Sequence, residues 1–527
     1  MKQLSGADAM FLQLERGNNV MHVASLSIYD PSTAPGGGVR FKDVLKFFTA
    51  RIAQFPQFRR RLVSLPLPLD RPYWVEDGSI DVEFHVRHIA LPHPGDWRQL
   101  CIQVARVHSR PLDRSKPLWE AYVIEGLHNV PGVPPGSFAM YTKIHHSLID
   151  GESGSELIRA LHSLTPEPVD EESFEPDATF AADRDPTAVE LYSRAVVNGI
   201  ERLPSLAKFS LGAARKLASF GATAVNKLTA DTSGTVEVVR TLLSGDISPL
   251  VPKLFPKTRF SGDVSAHRVV EAIGLQLAEF KVIRQHVPGA TINDIFLAIV
   301  GGALRTYLDS KNELPDTSMI AMVPLTLRGA DKGGDRGNQV GFTAMPVHTD
   351  IAEPVERLKA IIEAAVTAKR VTEEIGKEFA RDLLENLPHV VSETLLRSVK
   401  LPGVGLIVSN VRGPDVPLYM AGARLVNYAP ISIAVDGLGL NVTGFSYAGT
   451  MWICAVSCRD MLPDPAFFAE CLRASFAELC EAAARVALPE ESAASQAPKH
   501  PRHKRTARRT AAAARKPPSR RRKDATT

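Results

Sequence analysis

The sequence contains no run of 18 or more apolar residues, so no transmembrane helix is expected and any membrane contact is peripheral. Its start, Met1-Lys-Gln-Leu-Ser-Gly-Ala-Asp8, lacks an apolar signal region, which predicts a chain that is not secreted. Cysteine is scarce: Cys101, Cys454, Cys458, Cys471 and Cys480 are the five in 527 residues, and none forms a CxxC pair. That excludes a disulfide framework and fits a reducing cytoplasm. Cys454 and Cys458 fall on an expected strand and read as small hydrophobes. A Gly-x-Ser-x-Gly elbow is missing, so a serine nucleophile has no candidate. HExxH helices and Cys pairs are missing too, which leaves little from which to build a metal site. Acidic residues are rare at one end. From Lys499 onward twelve Lys/Arg stand against Asp524 alone, while the body before this tail is net acidic within a total of +4.

What remains is ordinary globular material, 44% hydrophobic and 23% charged. The length exceeds one ordinary core and predicts two globular domains with extra segments. A first domain, residues 1–165, opens with a short helix (Ala7 to Leu14) and the strand Met21–Tyr29. A helix over 41–63 follows, broken at Pro56 and ending in Arg59, Arg60 and Arg61. Arg71–Val75 and Val82–Val86 read as strand ends, Gln99–Arg110 as an amphipathic helix and Trp119–Ile124 as a strand. Residues 166–258 change character. An acidic Pro-rich linker leads into a basic amphipathic region over 189–230, which either packs on the body or lies in a membrane interface. The second domain, 259–486, carries strands at Arg268–Leu275, Met319–Leu327, Leu406–Pro414, Gly439–Tyr447 and Thr450–Ser457. Its helices are Leu277–His286, the almost wholly apolar Ile295–Leu308, Pro354–Lys369 and Pro465–Ala484. Residues 487–527 form a basic tail expected to be disordered, able to attract anionic lipid, nucleic acid or an acidic partner.

One stretch organises the rest: Tyr141-Thr-Lys-Ile-His145-His146-Ser-Leu-Ile-Asp150-Gly151. Phe138–Ile144 alternates as a strand and breaks at two histidines and an Asp-Gly turn. Neighbours on a strand point to opposite faces, so His145 and His146 cannot share one task. Three readings stand on these residues alone. They are two satisfied polar side chains at a strand end, a metal site that the opposed faces disfavour, or a lone general base supplied by a neutral imidazole. The strand–loop–helix order recurs at 451–484 without histidines, which suggests two related halves.

Several motifs in one order give these residues a family. Leu4-Ser-Gly-Ala-Asp8-Ala-Met-Phe11 and Met21-His22-Val23 come first. Arg71-Pro-Tyr-Trp74-Val-Glu-Asp77 and Pro117-Leu118-Trp119-Glu120 precede the His-His stretch. Asn293-Asp294, Val408-Ser409-Asn410-Val411 and Gly413-Pro414 follow it. Together they resemble the bacterial wax ester synthase/acyl-CoA:diacylglycerol acyltransferase family over residues 4 to 485. His145-His146-Ser-Leu-Ile-Asp150-Gly151 matches that family's HHxxxDG.

The resemblance implies an α/β fold of two chloramphenicol-acetyltransferase-like sandwich domains with an interdomain tunnel. It implies an enzyme moving a long-chain acyl group from acyl-CoA to diacylglycerol, or to a long-chain alcohol to make a wax ester. His146 would be the general base, His145 a support and Asp150 a structural brace of the loop. Asn293 and Asp294 would organise the site from the second domain, unless either simply caps its helix. Pro117 and Trp119 would brace the fold. No metal or cofactor is implied, acyl-CoA being a co-substrate. The resemblance places the protein in the cytoplasm, peripheral to the inner membrane or lipid inclusions. Two alternatives share the motif or the fold: a condensation-type acyl or peptidyl transferase, and a catalytically dead lipid-inclusion protein.

Overall fold

Alternation of apolar residues builds two six-stranded sheets in a computed structural model of the chain. The structure describes residues 1–65, 67, 69–78, 80–148, 158, 161–167, 184–201, 256–326, 340–375, 389, 393 and 404–486. The basic tail, most of the acidic linker, residues 202–255 and Asp150 lie outside the described residues.

The strands of the first half are β1 (Lys2–Gln3), β2 (His22–Asp30), β3 (Arg60–Val63), β4 (Tyr73–Glu76), β5 (Val86–Ala90), β6 (Trp119–Glu125) and β7 (Phe138–His145). Those of the second are β8 (Arg268–Gln276), β9 (Ile320–Thr326), β10 (Val340–Pro346), β11 (Leu406–Arg412), β12 (Tyr419–Met420), β13 (Ala423–Ile431), β14 (Leu440–Tyr447) and β15 (Thr450–Cys458). Helices are α1 (Gly6–Leu14), α2 (Phe41–Gln54), α3 (Val82–His85), α4 (Trp97–His108) and α5 (residues 188–201). The second half adds α6 (Leu277–His286), α7 (Ile292–Asp309), α8 (Pro354–Ile375) and α9 (Pro465–Val486).

The halves repeat one pattern. The first sheet runs β2-β7-β6-β5 and the second β8-β15-β14-β11. In both, the first three strands are mutually antiparallel and the last pair is parallel. The weak sequence echo between β7 and β15 thus reflects equivalent places in two sheets. A strand from the second half then crosses over. β13 pairs antiparallel with β2 and extends the first sheet, followed by β12. The domain boundary at 258/259 is therefore not a boundary between sheets. From β13, Ala429 and Ile431 pack with Ala272, Cys454 and Val456 of the second sheet, so one core spans both.

Two local expectations change. The basic stretch Arg60–Arg61 belongs to β3, not to a helix end: Pro56 opens a single 3-10 turn, and the chain then pairs with β4. Val82–His85 forms a helical turn, because the Asp81 side chain accepts hydrogen bonds from the Glu83 and Phe84 amides. The β-forming residue types there yield to a good N-cap.

In the second half α7 is the central helix, buried from Asp294 to Ala303. Its Gly301-Gly302 pair lets other elements come close. A Cβ on Gly301 would lie 2.0 Å from the Val347 carbonyl oxygen. Replacing Gly301 with Ala must therefore push backbone apart, at a cost of about 1–3 kcal/mol. Gly301→Ala is expected to lower the urea midpoint of unfolding. An unchanged midpoint would show that the packing has slack.

Candidate active site

Three of the early motifs converge on the histidine pair. The His145 amide donates to the Leu118 carbonyl (2.9 Å), and the His146 amide donates to the Met21 carbonyl (2.8 Å). Strands β6 and β2 thus clamp β7 from both sides up to its end, where a 3-10 turn, His146–Leu148, begins. The alternation of the strand survives to its last residues. Thr142, Ile144 and His146 line one cavity, while Tyr141, Lys143 and His145 face the other way.

On that other face His145 is fixed by polar partners. Its Nδ1 shares a 2.7 Å hydrogen bond with Ser147 Oγ and accepts from the Ser147 amide at 3.1 Å. Its Nε2 lies 3.7 Å from Glu15 Oε2. Burial alone would raise the Glu15 carboxyl, but His145 and the Arg114 guanidinium at 2.7 Å outweigh it and hold its pKa at about 2. The same face buries Lys143, which donates to the Arg110 carbonyl (2.9 Å) and lies 3.3 Å from Glu120. Farther back, His108 Nδ1 meets the Tyr141 hydroxyl at 2.8 Å, and His22 Nε2 meets the His108 carbonyl at 2.7 Å.

On the cavity face His146 has an apolar setting. The Phe11 ring lies flat against its imidazole, centroids 3.9 Å apart and planes 15° from parallel. Ser5 caps α1 by accepting from the Asp8 amide, which fixes where Phe11 stands. Burial pushes the His146 pKa down to about 4, so the imidazole is neutral at physiological pH. The cavity has a volume of about 210 Å³. Both sheets wall it: Val23 and Ser25 of β2 and Tyr428 of β13 on one side, Ser409 of β11 and Phe445 of β14 on the other. The Tyr428 and Phe445 rings meet at 4.2 Å across the sheets.

The other expected site residues fall as follows. Asp294 closes a capping box with Thr291: its amide donates to Thr291 Oγ1 at 3.2 Å, and its carboxylate accepts from the Thr291 amide at 2.9 Å. Thr291 is the N-cap, with Asn293 in the first turn, and neither Asn293 nor Asp294 lines the cavity. Their helix reaches the wall indirectly. Phe296 lies 3.3 Å from where a Cβ on Gly444 would stand, between the wall residues Thr443 and Phe445. Trp119 is fully buried, donates to the Phe58 carbonyl (2.9 Å) and stacks on His85 at 4.5 Å. Among the described residues no cluster of three His, Cys, Asp or Glu could hold a metal, and no helix is long and apolar enough to cross a membrane. All five cysteines are free thiols and none lines the cavity.

Some of this geometry was hidden in the sequence. Glu15 and Arg114 lie 99 residues apart and belong to no quoted motif. Thr142 could have been found, since it shares the two-residue period with His146. Strand β13 went unnoticed as a wall because its partner, β2, lies some 400 residues earlier.

Two sheets of like topology with a cavity between them form a two-domain α/β fold of the chloramphenicol-acetyltransferase-like type, and the His146 imidazole faces that cavity from the end of β7. Residues 4–296 match the wax ester synthase/diacylglycerol acyltransferase catalytic domain, and residues 336–480 match the C-terminal domain of the same family. The chain belongs to that family and is an O-acyltransferase of its type. A curated relative named as the probable diacylglycerol O-acyltransferase tgs2 of Mycobacterium tuberculosis is 33% identical over 464 residues, 86% of this chain and 94% of the relative. The wax ester synthase/diacylglycerol acyltransferase of Marinobacter aquaeolei VT8 superimposes with a TM-score of 0.63 at 26% identity, covering 92% of this chain and 100% of that one. The first condensation domain of the calcium-dependent antibiotic synthetase shares the fold alone, at 15% identity and a TM-score of 0.52 over 93% of this chain and 98% of its own.

Burial lowers the pKa of His108 to about 3 and of His146 and His162 to about 4, with His22 also well below its usual value. Unfolding frees these rings to titrate near 6.5, so below that pH the unfolded chain binds more protons than the folded one. Stability therefore falls as pH drops from about 6.5 toward 4. Melting temperatures measured from pH 7 to pH 5 are expected to decline, and a flat or rising curve would contradict burial of neutral histidines.

Proposed function

We propose that this chain transfers a long-chain acyl group from CoA to the hydroxyl of a diacylglycerol, with His146 as the general base. The observation that carries this reading is the neutral imidazole facing an apolar cavity shared by both sheets. The imidazole takes the proton of the acceptor hydroxyl while that oxygen attacks the thioester carbonyl. The tetrahedral intermediate collapses with cleavage of the C–S bond, and the imidazolium returns its proton to the departing CoA sulfur. The products are an ester and free CoA, with no acyl-enzyme. Holding both substrates in one cavity supplies orientation. Long-chain alcohols fit the same chemistry and would give wax esters.

His145 acts as a support through Ser147 and Glu15. Asp294 organises the second wall at a distance, by closing the capping box that starts α7 and places Phe296 behind β14, with Asn293 beside it in the first turn. His146→Ala is expected to lower CoA release at least a thousand-fold with unchanged melting temperature, and His145→Ala to lose less. In wild type the acid limb of kcat/KM should fall near pH 4 rather than 6.5. Near-wild-type turnover of folded His146→Ala would refute the base.

The acceptor lives in lipid, so the enzyme works at a lipid surface, an inner membrane or an inclusion. Helix α5 supports this. Its Leu191 packs on Leu65 and Tyr73, and its Asn198 bonds to Asp70 at 2.7 Å. The opposite stripe leaves Val189, Val196 and Ile200 exposed at 75, 63 and 62%. One apolar face thus holds the body while another faces outward. The basic tail would add attraction to anionic lipid. In sedimentation with anionic vesicles, Val196→Asp/Ile200→Asp is expected to weaken binding at all salt concentrations. Removal of residues 499–527 should weaken it only at low salt. Binding equal to wild type in both variants would reject the surface.

A further inference from the structure

The cavity beside His146 is mostly apolar, yet hydroxyls recur at one level on both walls. On the first sheet Thr142 of β7 stands opposite Ser25 of β2, and Tyr428 of β13 lines the cavity beside them. On the second sheet Ser409 of β11 stands opposite Thr443 of β14. All five residues line this one cavity. The alternation of each strand turns them inward. On β11 and β14 the intervening Leu406, Val408, Leu440 and Val442 face the helices instead.

Placing hydroxyls in an apolar wall costs free energy unless they are used. Part of their capacity is used within the wall: Thr443 donates to Asn441 Oδ1 at 2.7 Å. A hydroxyl has one donor and two acceptor sites, so such a row keeps capacity for a ligand. Among the described residues no Lys, Arg, Asp or Glu lines the cavity. That chemistry suits a neutral carbonyl oxygen. It does not suit a phosphate, which calls for cations or a helix N-terminus. Thr142 precedes His146 by four residues on the same face, about 13 Å at the usual strand rise of about 3.3 Å. A carbonyl held there belongs to the substrate chain away from the reacting bond.

We infer that Thr142, Ser25, Tyr428, Ser409 and Thr443 form a carbonyl-recognition subsite for an ester or amide group along one of the two substrates. The inference rests on the acyl-transfer reading above. Two substrates carry such groups: a diacyl acceptor has ester carbonyls, and the CoA donor has amides in its pantetheine arm. A plain long-chain alcohol has none. The subsite thus sorts substrates by the polar groups along their length.

The test uses the full chain as wild type, Thr142→Val, Ser25→Ala, Ser409→Ala and Tyr428→Phe, each compared with wild type by melting temperature. Initial rates are measured with palmitoyl-CoA and either dioleoylglycerol or hexadecanol. The expected result is a KM raised at least five-fold for the carbonyl-bearing substrate, with kcat within two-fold of wild type. A rise for dioleoylglycerol alone assigns the subsite to acceptor esters. A rise for palmitoyl-CoA with both acceptors assigns it to the donor amides. Unchanged KM values in the folded variants, or an equal loss of kcat with every acceptor, overturn the subsite. If Tyr428→Phe does not fold, Ser409→Ala on the opposite wall decides. Absence of CoA release by wild type would instead overturn acyl transfer itself.

Discussion

Two backbone hydrogen bonds on consecutive residues set the task for everything around them. The amides of His145 and His146 are taken by strands on opposite sides of β7, through Leu118 and Met21. Because both are held, the strand keeps its alternation to the end and sends one imidazole to each face. A register slip of one residue would exchange them. The motifs that surround the pair in sequence are then understandable as clamps. The Leu118 segment holds the first histidine, the Met21 segment holds the second, and Phe11 covers the second ring.

The two faces of the sheet divide the electrostatic work. Charged groups collect behind it: Glu15 with Arg114, and Lys143 with Glu120. Glu15, Lys143 and Glu120 are buried and partnered, as buried charges must be, while Arg114 reaches Glu15 from the solvent side. The cavity side carries hydroxyls and hydrocarbon instead, and there burial keeps His146 neutral. An imidazole beside an unpaired carboxylate would be drawn toward its protonated form and lost as a base. Segregation by strand period avoids this without any added element, since residues one apart already lie on different faces.

Legibility followed locality. β7, α7 and the β14–β15 hairpin could be read because period and caps lie within each segment. Thr291 and Asp294 cap α7 three residues apart, and the hairpin closes on itself. Arg60–Val63 reads as a helix end in sequence because its strand identity comes from β4, reached only after a turn. Val82–His85 has the residue types of a strand, and the Asp81 cap turns it into helix all the same. The division of roles between His145 and His146 was legible as geometry. What surrounds them was not: Glu15 and Arg114 owe their place to tertiary contact, and no spacing announces it.

The crossing of β13 has the largest consequence for the site. Had the halves been separate, the cavity would be a cleft between two bodies free to part. Instead β13 is hydrogen-bonded along β2 while its residues pack into the other sheet. Tyr447 of β14 tightens this by donating to the Leu425 carbonyl (3.1 Å) while its oxygen accepts from the Leu418 amide (2.9 Å). Widening the cavity by moving whole halves would break a strand ladder, a cooperative loss rather than a hinge. The separation of the His146 wall from the Ser409–Thr443 wall is accordingly tied to the β13–β2 ladder and to the packing of β13 on the second sheet.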